Sequence, residues 1–228
     1  MKKILFILAF SNALTSELIL EITQGTEDPY RVAILKFEGD QKVSNDIDKI
    51  IRNNLKRSGE FNLFANEDLL SLPTNETEVI FNDFKILNID YLVIGKIVKD
   101  GISISVVYDI FDINKGKKIR TSTVYGIPNK NRQLGHYVSD GIYEEITGMK
   151  GISSTKILYV TENKNFNLMV ADADGSNEQI LLKSNDPIIS PAWSPDSKKV
   201  AYVSFETGMA KVYIQAVSYT HLTLPTNC

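Results

Sequence analysis

The chain has 228 residues, 43% of them hydrophobic and 23% charged, a globular balance that accommodates one or two domains. Its net charge of -3, with no dense stripe of lysine and arginine, argues against nucleic acid as a partner. The single cysteine, Cys228, excludes an intrachain disulfide and leaves stability to packing.

Lys2 and Lys3 precede the apolar run Ile4 to Phe10, which is followed by Ser11, Asn12 and Ala13. A basic start, a short apolar core and small residues near a cleavage point make a secretory signal too short to be a transmembrane helix. A buried N-terminal strand is the alternative reading of this run. Cleavage after Ala13 leaves Leu14 first, whereas cleavage after Ser16 leaves Glu17 first. With residues 1–16 taken as the signal, no cysteine stands at the new terminus to receive a lipid, so the mature chain is expected to be soluble, without a membrane span.

Strands and helices then alternate, as in a small α/β domain. Arg31 to Phe37 reads as a buried strand. Asn45 to Ser58 reads as a helix with Ile47, Ile50, Ile51 and Leu55 on one face, Ser44 or Asn45 able to cap it and Gly59 to stop it. Phe61 to Phe64 is a short strand. Thr77 to Ile89 is a helix candidate, and Tyr91 to Ile97 is a strand entered through Asn88, Ile89 and Asp90. From Ile102 to Phe111 the pattern has period two, with Ile102, Ile104, Val106, Tyr108 and Ile110 expected on one buried face. Turns at Lys99–Asp100–Gly101 and Asn114–Lys115–Gly116 flank it, and Lys118 to Val124 forms the next strand. Arg132 to Thr147 carries Leu134, Val138, Ile142 and Ile146 at helical spacing, with Gly148 ending it. The turn Gly148–Met149–Lys150–Gly151 marks the domain boundary, because the pattern beyond it is all-β.

Beyond that boundary the chain repeats itself. Ile157, Leu158, Tyr159 and Val160 recur as Val200, Ala201, Tyr202 and Val203 about 43 residues later, and Leu168 to Ala171 match Val212 to Gln215. The phrase Ser190–Pro191–Ala192–Trp193–Ser194–Pro195–Asp196 fits the opening of a propeller blade. Its two prolines bar a helix, Asp196 and Ser197 supply turn chemistry, and Trp193 is expected to anchor the blade. Asp172–Ala173–Asp174–Gly175 has two acids of a calcium loop, but its glycine comes too early for one, so a hairpin turn is the stronger reading.

These phrases resemble the TolB family, periplasmic components of the Tol-Pal envelope system. The resemblance is carried by Val32 to Phe37, Asn88 to Ile97, the junction Ile146 to Gly151, and Pro187 through Glu206, and it covers most of residues 17–217. Asn88 stands where the family often has glycine, and so does Ser197. The resemblance implies a domain at residues 17–150 with an α/β fold, followed at residues 151–217 by the first blades of an all-β six-bladed propeller, a truncated version of the family's. It also implies a non-catalytic adaptor without cofactor or metal, monomeric when complete, whose first mature residues contact TolA and whose propeller face binds Pal. Carried over by position, the TolA segment is Glu17, Leu18, Ile19, Leu20, Glu21 and Ile22, and the Pal-facing loop is Asp186, Pro187, Ile188, Ile189 and Ser190. The residues agree in kind: Leu18, Leu20 and Ile22 fall on one side of an extended segment that can add to a partner's sheet edge or pair with its own domain. Residues 218–228 do not continue the blade pattern and read as foreign sequence. With so few repeats, the segment beyond about Ser153 is expected to be labile and prone to aggregate.

An enzyme reading finds little to work with. Propellers of this type also accompany prolyl-oligopeptidase-like hydrolase domains, which need a serine, aspartate and histidine together. The histidines here are His136, read as a solvated residue on a polar helical stretch, and His221 in the foreign tail, and no Gly-x-Ser-x-Gly elbow occurs. A metal site fails for the same want of ligands. A ligand-binding propeller stays open as a third class.

Overall fold

A computed structural model describes residues 28–127 and 130–217. β1 (Tyr30–Ile34) is apolar on both faces because it runs inside a five-stranded sheet, flanked in parallel by β2 (Phe61–Phe64) and β3 (Tyr91–Asp100). β4 (Ser103–Asp112) and β5 (Lys117–Gly126) extend the sheet antiparallel, giving the order β2-β1-β3-β4-β5. Gly101 and Gly116 take positive φ in the two hairpin turns, as the sequence leads one to expect.

On one face of the sheet lie α1 (Gln41–Ser58) and α3 (Asn131–Thr147). Ile47, Ile51 and Leu55 from α1 and Leu134, Val138, Ile142 and Ile146 from α3 meet Val32, Ile34, Val93, Val106, Tyr108 and Ile110 there. The two helices approach closely at Gly135, where an added Cβ would lie 2.8 Å from the Ile50 side chain. The opposite face buries Ala33, Leu35, Leu92, Ile94 and Phe111 beneath Phe84 and Ile89.

The structure corrects several local expectations. α1 starts earlier than Asn45, capped by Asp40, whose carboxylate accepts from the Val43 N–H at 3.1 Å. Ser44 is buried and donates instead to the Phe37 carbonyl. The Thr77–Ile89 helix is replaced by a 3₁₀ turn, Glu76–Glu78, and a short helix, α2 (Phe81–Ile86). Val79 and Ile80 between them are extended, as their β-branched side chains favour. Ile102 sits in the hairpin turn rather than on the strand and is 91% exposed.

The remaining strands form two antiparallel three-stranded sheets. The first is β6 (Lys156–Glu162), β7 (Phe166–Asp172) and β8 (Gln179–Ser184); the second is β9 (Ile188–Trp193), β10 (Lys199–Ser204) and β11 (Lys211–Ala216). The sequence repeat equates β6 with β10 and β7 with β11. Yet β6 is at an edge of its sheet whereas β10 is central, so the two sheets show overlapping portions of one repeating unit. Leu168, Ile188, Val200 and Tyr202 form their common core, and half-buried Trp193 packs against it.

The Ser194–Ser197 turn joins β9 to β10 and is closed by its own side chains. Ser194 donates to Asp196 at 2.6 Å and accepts from the Lys199 N–H at 2.9 Å. Ser197 has φ 57° and Asn88 φ 54°, so both positions where glycine is usual adopt the left-handed conformation.

Candidate functional site

Conspicuous polar chemistry collects where α3 meets the first propeller sheet. Along α3, Arg132, His136, Ser139 and Asp140 form a second stripe beside the apolar one, and the end of β7 and the turn after it present Asp172 and Asp174 to it. Gly148 ends α3 in the left-handed conformation, and the chain then folds back so that the Ser153 and Ser154 N–H groups donate to Asp140 at 2.6 and 2.8 Å. Gly151 permits this return, since a Cβ there would lie 2.5 Å from the Asp140 carboxylate and 2.6 Å from its Cα.

His136 is 3% exposed, which corrects its reading as a solvated residue. Its Nδ1 lies 2.9 Å from Asn54 Nδ2, and the same amide group donates to Ser139 Oγ at 2.7 Å. The Asn54 oxygen accepts from Arg57 at 3.2 Å, and the Ser139 hydroxyl hydrogen is committed to the Gly135 carbonyl at 2.6 Å. The network therefore assigns Nδ1 as the acceptor and places the ring proton on Nε2. Burial pushes the His136 pKa below its ordinary value despite the opposing pull of Asp174 and Asp172.

Nε2 faces the two carboxylates, 3.9 Å from Asp172 and 3.8 Å from Asp174. Arg132 pairs with Asp174 and donates to Ser176 at 2.7 Å, while Lys156 pairs with Asp172, which also accepts from Asn177 at 2.5 Å. Burial pushes Asp174 up, but the Ser176 N–H and the Arg132 guanidinium outweigh it and hold the carboxyl below its usual range.

His136, Asp172 and Asp174 bring their ligand atoms close enough for a metal ion. Two features oppose one. Ligation through Nε2 would require the proton to move to Nδ1, against the Asn54 donor, and the Arg132 guanidinium already serves as the cation between the acids. Nor does Ser139 make a nucleophile, since its hydroxyl serves the α3 backbone. The arrangement instead clasps the α/β domain to the propeller through largely buried, hydrogen-bonded charges. Beside the clasp opens a cleft of about 770 Å³ that includes Lys130, Gln133, Ser154 and Gln179 in its wall.

Comparison with known proteins bears on the whole chain. Residues 18–119 match the family model described as the TolB amino-terminal domain, and residues 143–225 match the TolB beta propeller domain. The chain is 39% identical to the Tol-Pal system protein TolB of Alcanivorax borkumensis over 90% of its own length and 49% of the relative's. With the same-named protein of Hahella chejuensis it shares 38% identity, covering 95% of this chain and 53% of that one. The crystal structure of TolB from Acinetobacter baumannii superposes with a TM-score of 0.76 at 34% identity, over 87% of this chain and 49% of that one. The chain belongs to the TolB family. It spans about half the length of the curated relatives it matches.

For a TolB-family chain the expected contact residues fall unevenly. Glu17, Leu18, Ile19, Leu20, Glu21 and Ile22 lie outside the described residues, as do the signal segment, His221 and Cys228. Asp186 and Pro187 occupy the connection between β8 and β9. Ile188, Ile189 and Ser190 belong to β9 rather than to a loop. Ile188 is buried in the propeller core, Ile189 is 47% exposed, and Ser190 has φ 53°. Among the described residues no helix is long and apolar enough to cross a membrane. The clasp of Arg132, His136, Asp172 and Asp174 was missed by sequence reasoning. Its available signal was the polar stripe at helical spacing on α3 together with the Asp-x-Asp turn, read only as a hairpin.

Proposed function

We propose that the chain acts as a non-catalytic adaptor of the Tol-Pal system in the periplasm, exported by residues 1–16. In this reading Glu17 to Ile22 bind TolA and the propeller binds Pal, and the protein supports outer-membrane integrity and constriction at division. The observation that carries the proposal is the pairing of a TolB amino-terminal domain with TolB propeller sequence in one chain whose curated relatives are Tol-Pal system proteins. The clasp supports it, because a bound partner on either domain acts on a body whose two parts are tied by ion pairs.

The two contacts are separable by substitution. Leu18→Asp should weaken TolA binding about tenfold or more while leaving Pal unaffected, and Ile189→Asp should do the reverse. Both measured by calorimetry, loss of neither interaction in its assigned variant would dismiss these contact surfaces.

A further inference from the structure

We infer that Asp100 is a site of spontaneous backbone isomerisation, at which the Gly101 nitrogen and the Asp100 side chain close a succinimide ring that water reopens to isoaspartate. The site lies beyond the adaptor reading and does not depend on it. Aspartate followed by glycine is the pair in which this attack is least hindered, because glycine has no side chain to shield its amide nitrogen and leaves the backbone free to turn. The chain has three such pairs, Asp100–Gly101, Asp140–Gly141 and Asp174–Gly175. The fold separates them by whether the carboxyl group and the attacking nitrogen are already held.

Two of the pairs are closed. Asp140 accepts from the Ser153 and Ser154 N–H groups at 2.6 and 2.8 Å, and Gly141 lies inside α3 with its N–H in the helical ladder. Asp174 is held by Arg132 and by the Ser176 N–H at 3.0 Å, and the Gly175 N–H donates to the Asp172 carbonyl at 2.8 Å. Asp100 differs on both counts. It is exposed at the end of β3, and among the described residues its carboxylate has no ion pair or hydrogen bond and the Gly101 N–H donates to no backbone carbonyl. The space around the pair is open as well, since a Cβ added at Gly101 meets nothing within 4 Å.

In ring closure the Gly101 nitrogen forms a bond to Asp100 Cγ, and one carboxylate oxygen leaves as water with the amide hydrogen and a solvent proton. Water then adds to either ring carbonyl. Breaking the bond from nitrogen to Cγ restores aspartate, whereas breaking the bond to the main-chain carbonyl carbon gives isoaspartate, and the proton returns to solvent as the new carboxyl ionises. The Ser103 hydroxyl donates to that main-chain oxygen of Asp100 at 2.9 Å, which polarises the carbonyl toward the second outcome. Isoaspartate carries the side-chain methylene in its main chain. It therefore lengthens a turn whose two residues, Gly101 and Ile102, set the β3–β4 register through the pairing of Asp100 with Ser103. The neighbouring Lys99 pairs at 2.8 Å with Asp40, the cap of α1, so the altered turn adjoins a contact that ties this hairpin to the helix layer.

The test is ageing of the full chain at physiological temperature and neutral pH in oxygen-18 water, with and without denaturing urea. Peptide mass spectrometry locates the incorporated oxygen, and protein isoaspartyl methyltransferase with labelled S-adenosylmethionine scores isoaspartate. In the folded chain both signals should accumulate at Asp100 about tenfold or more faster than at Asp140 or Asp174, whose pairs must first lose the bonds that hold them. In urea the three rates should converge, because those bonds are gone. Asp100→Glu keeps the charge at this exposed position but requires a larger ring, and should remove the folded-state signal. Equal folded rates at the three pairs, no gain at Asp100, a preference for Asp100 that persists in urea, or a folded-state signal that survives in Asp100→Glu would each overturn the proposal.

Discussion

Asn54 is the residue through which the clasp is most sharply testable. Its amide makes three hydrogen bonds, to His136 at 2.9 Å, Ser139 at 2.7 Å and Arg57 at 3.2 Å. In Asn54→Ala the Arg57 group can turn to solvent and Ser139 keeps its bond to Gly135, so neither loss weighs much. His136 Nδ1 is left as a buried acceptor without a donor, which costs about 1–3 kcal/mol. The vacated space adds about 1 kcal/mol, for a total near 2–4 kcal/mol.

Asn54→Asp is the more revealing change, because it replaces the donor with a carboxylate that draws a proton onto Nδ1. In the parent chain the folded pKa of His136 is depressed by burial, so its contribution is fully present above the unfolded value near 6.5 and declines as pH falls through that value toward the folded one. In Asn54→Asp the folded pKa is raised, so the stabilisation is present below about 6.5 and is lost as pH rises through the folded value. Urea unfolding followed by helix circular dichroism at pH 5.5 and 7.5 measures the difference. The variant should lose less stability than the parent chain between the higher and the lower pH, or should gain it. An Asn54→Ala cost under about 0.5 kcal/mol, or the same pH dependence in parent and Asn54→Asp, refutes the assigned network.

Other consequences are checked by the same unfolding assay. Gly135→Ala adds a Cβ 2.8 Å from Ile50 on α1 and should destabilise by about 1–3 kcal/mol, although alanine is the better helix former. Ser197→Gly relieves a left-handed conformation and should stabilise by about 0.5–1 kcal/mol, whereas Asn88→Ala should cost about 1 kcal/mol, since asparagine tolerates its φ of 54° and alanine does not. On β11, Val212 and Ile214 are each 72% exposed. Replacing both with threonine should slow aggregation, read by light scattering at fixed concentration, and change stability by less than about 0.5 kcal/mol.

Much of the fold is legible in the sequence because its periodicities are local. Ile47, Ile51 and Leu55 on α1, and Leu134, Val138 and Ile142 on α3, declare their buried faces by spacing alone, and all six are in the core. Ile102 misleads because alternation carries no information about where a hairpin turns. Only the pairing of Asp100 with Ser103 shows that it lies outside the ladder. The Thr77–Ile89 stretch misleads for a different reason: its apolar residues pack beneath the sheet from a 3₁₀ turn, two extended residues and a short helix, whose shared burial mimics one helical face.

The clasp lay beyond such reasoning because its halves are distant in the chain. Arg132 and Asp174 meet across 42 residues, and Asn54 and His136 across 82. Each looks ordinary where it stands, Asp174 as a turn residue and His136 as a polar position on a helix. Only the docking of α3 on both α1 and the first propeller sheet makes them buried partners.

The account's central claim is the adaptor role, and its most direct test is calorimetric titration of residues 17–217 with the C-terminal domain of TolA, beside a version beginning at Tyr30. The account predicts saturable binding by the longer chain and none by the shorter. Equal binding by both, or binding by neither, would contradict it.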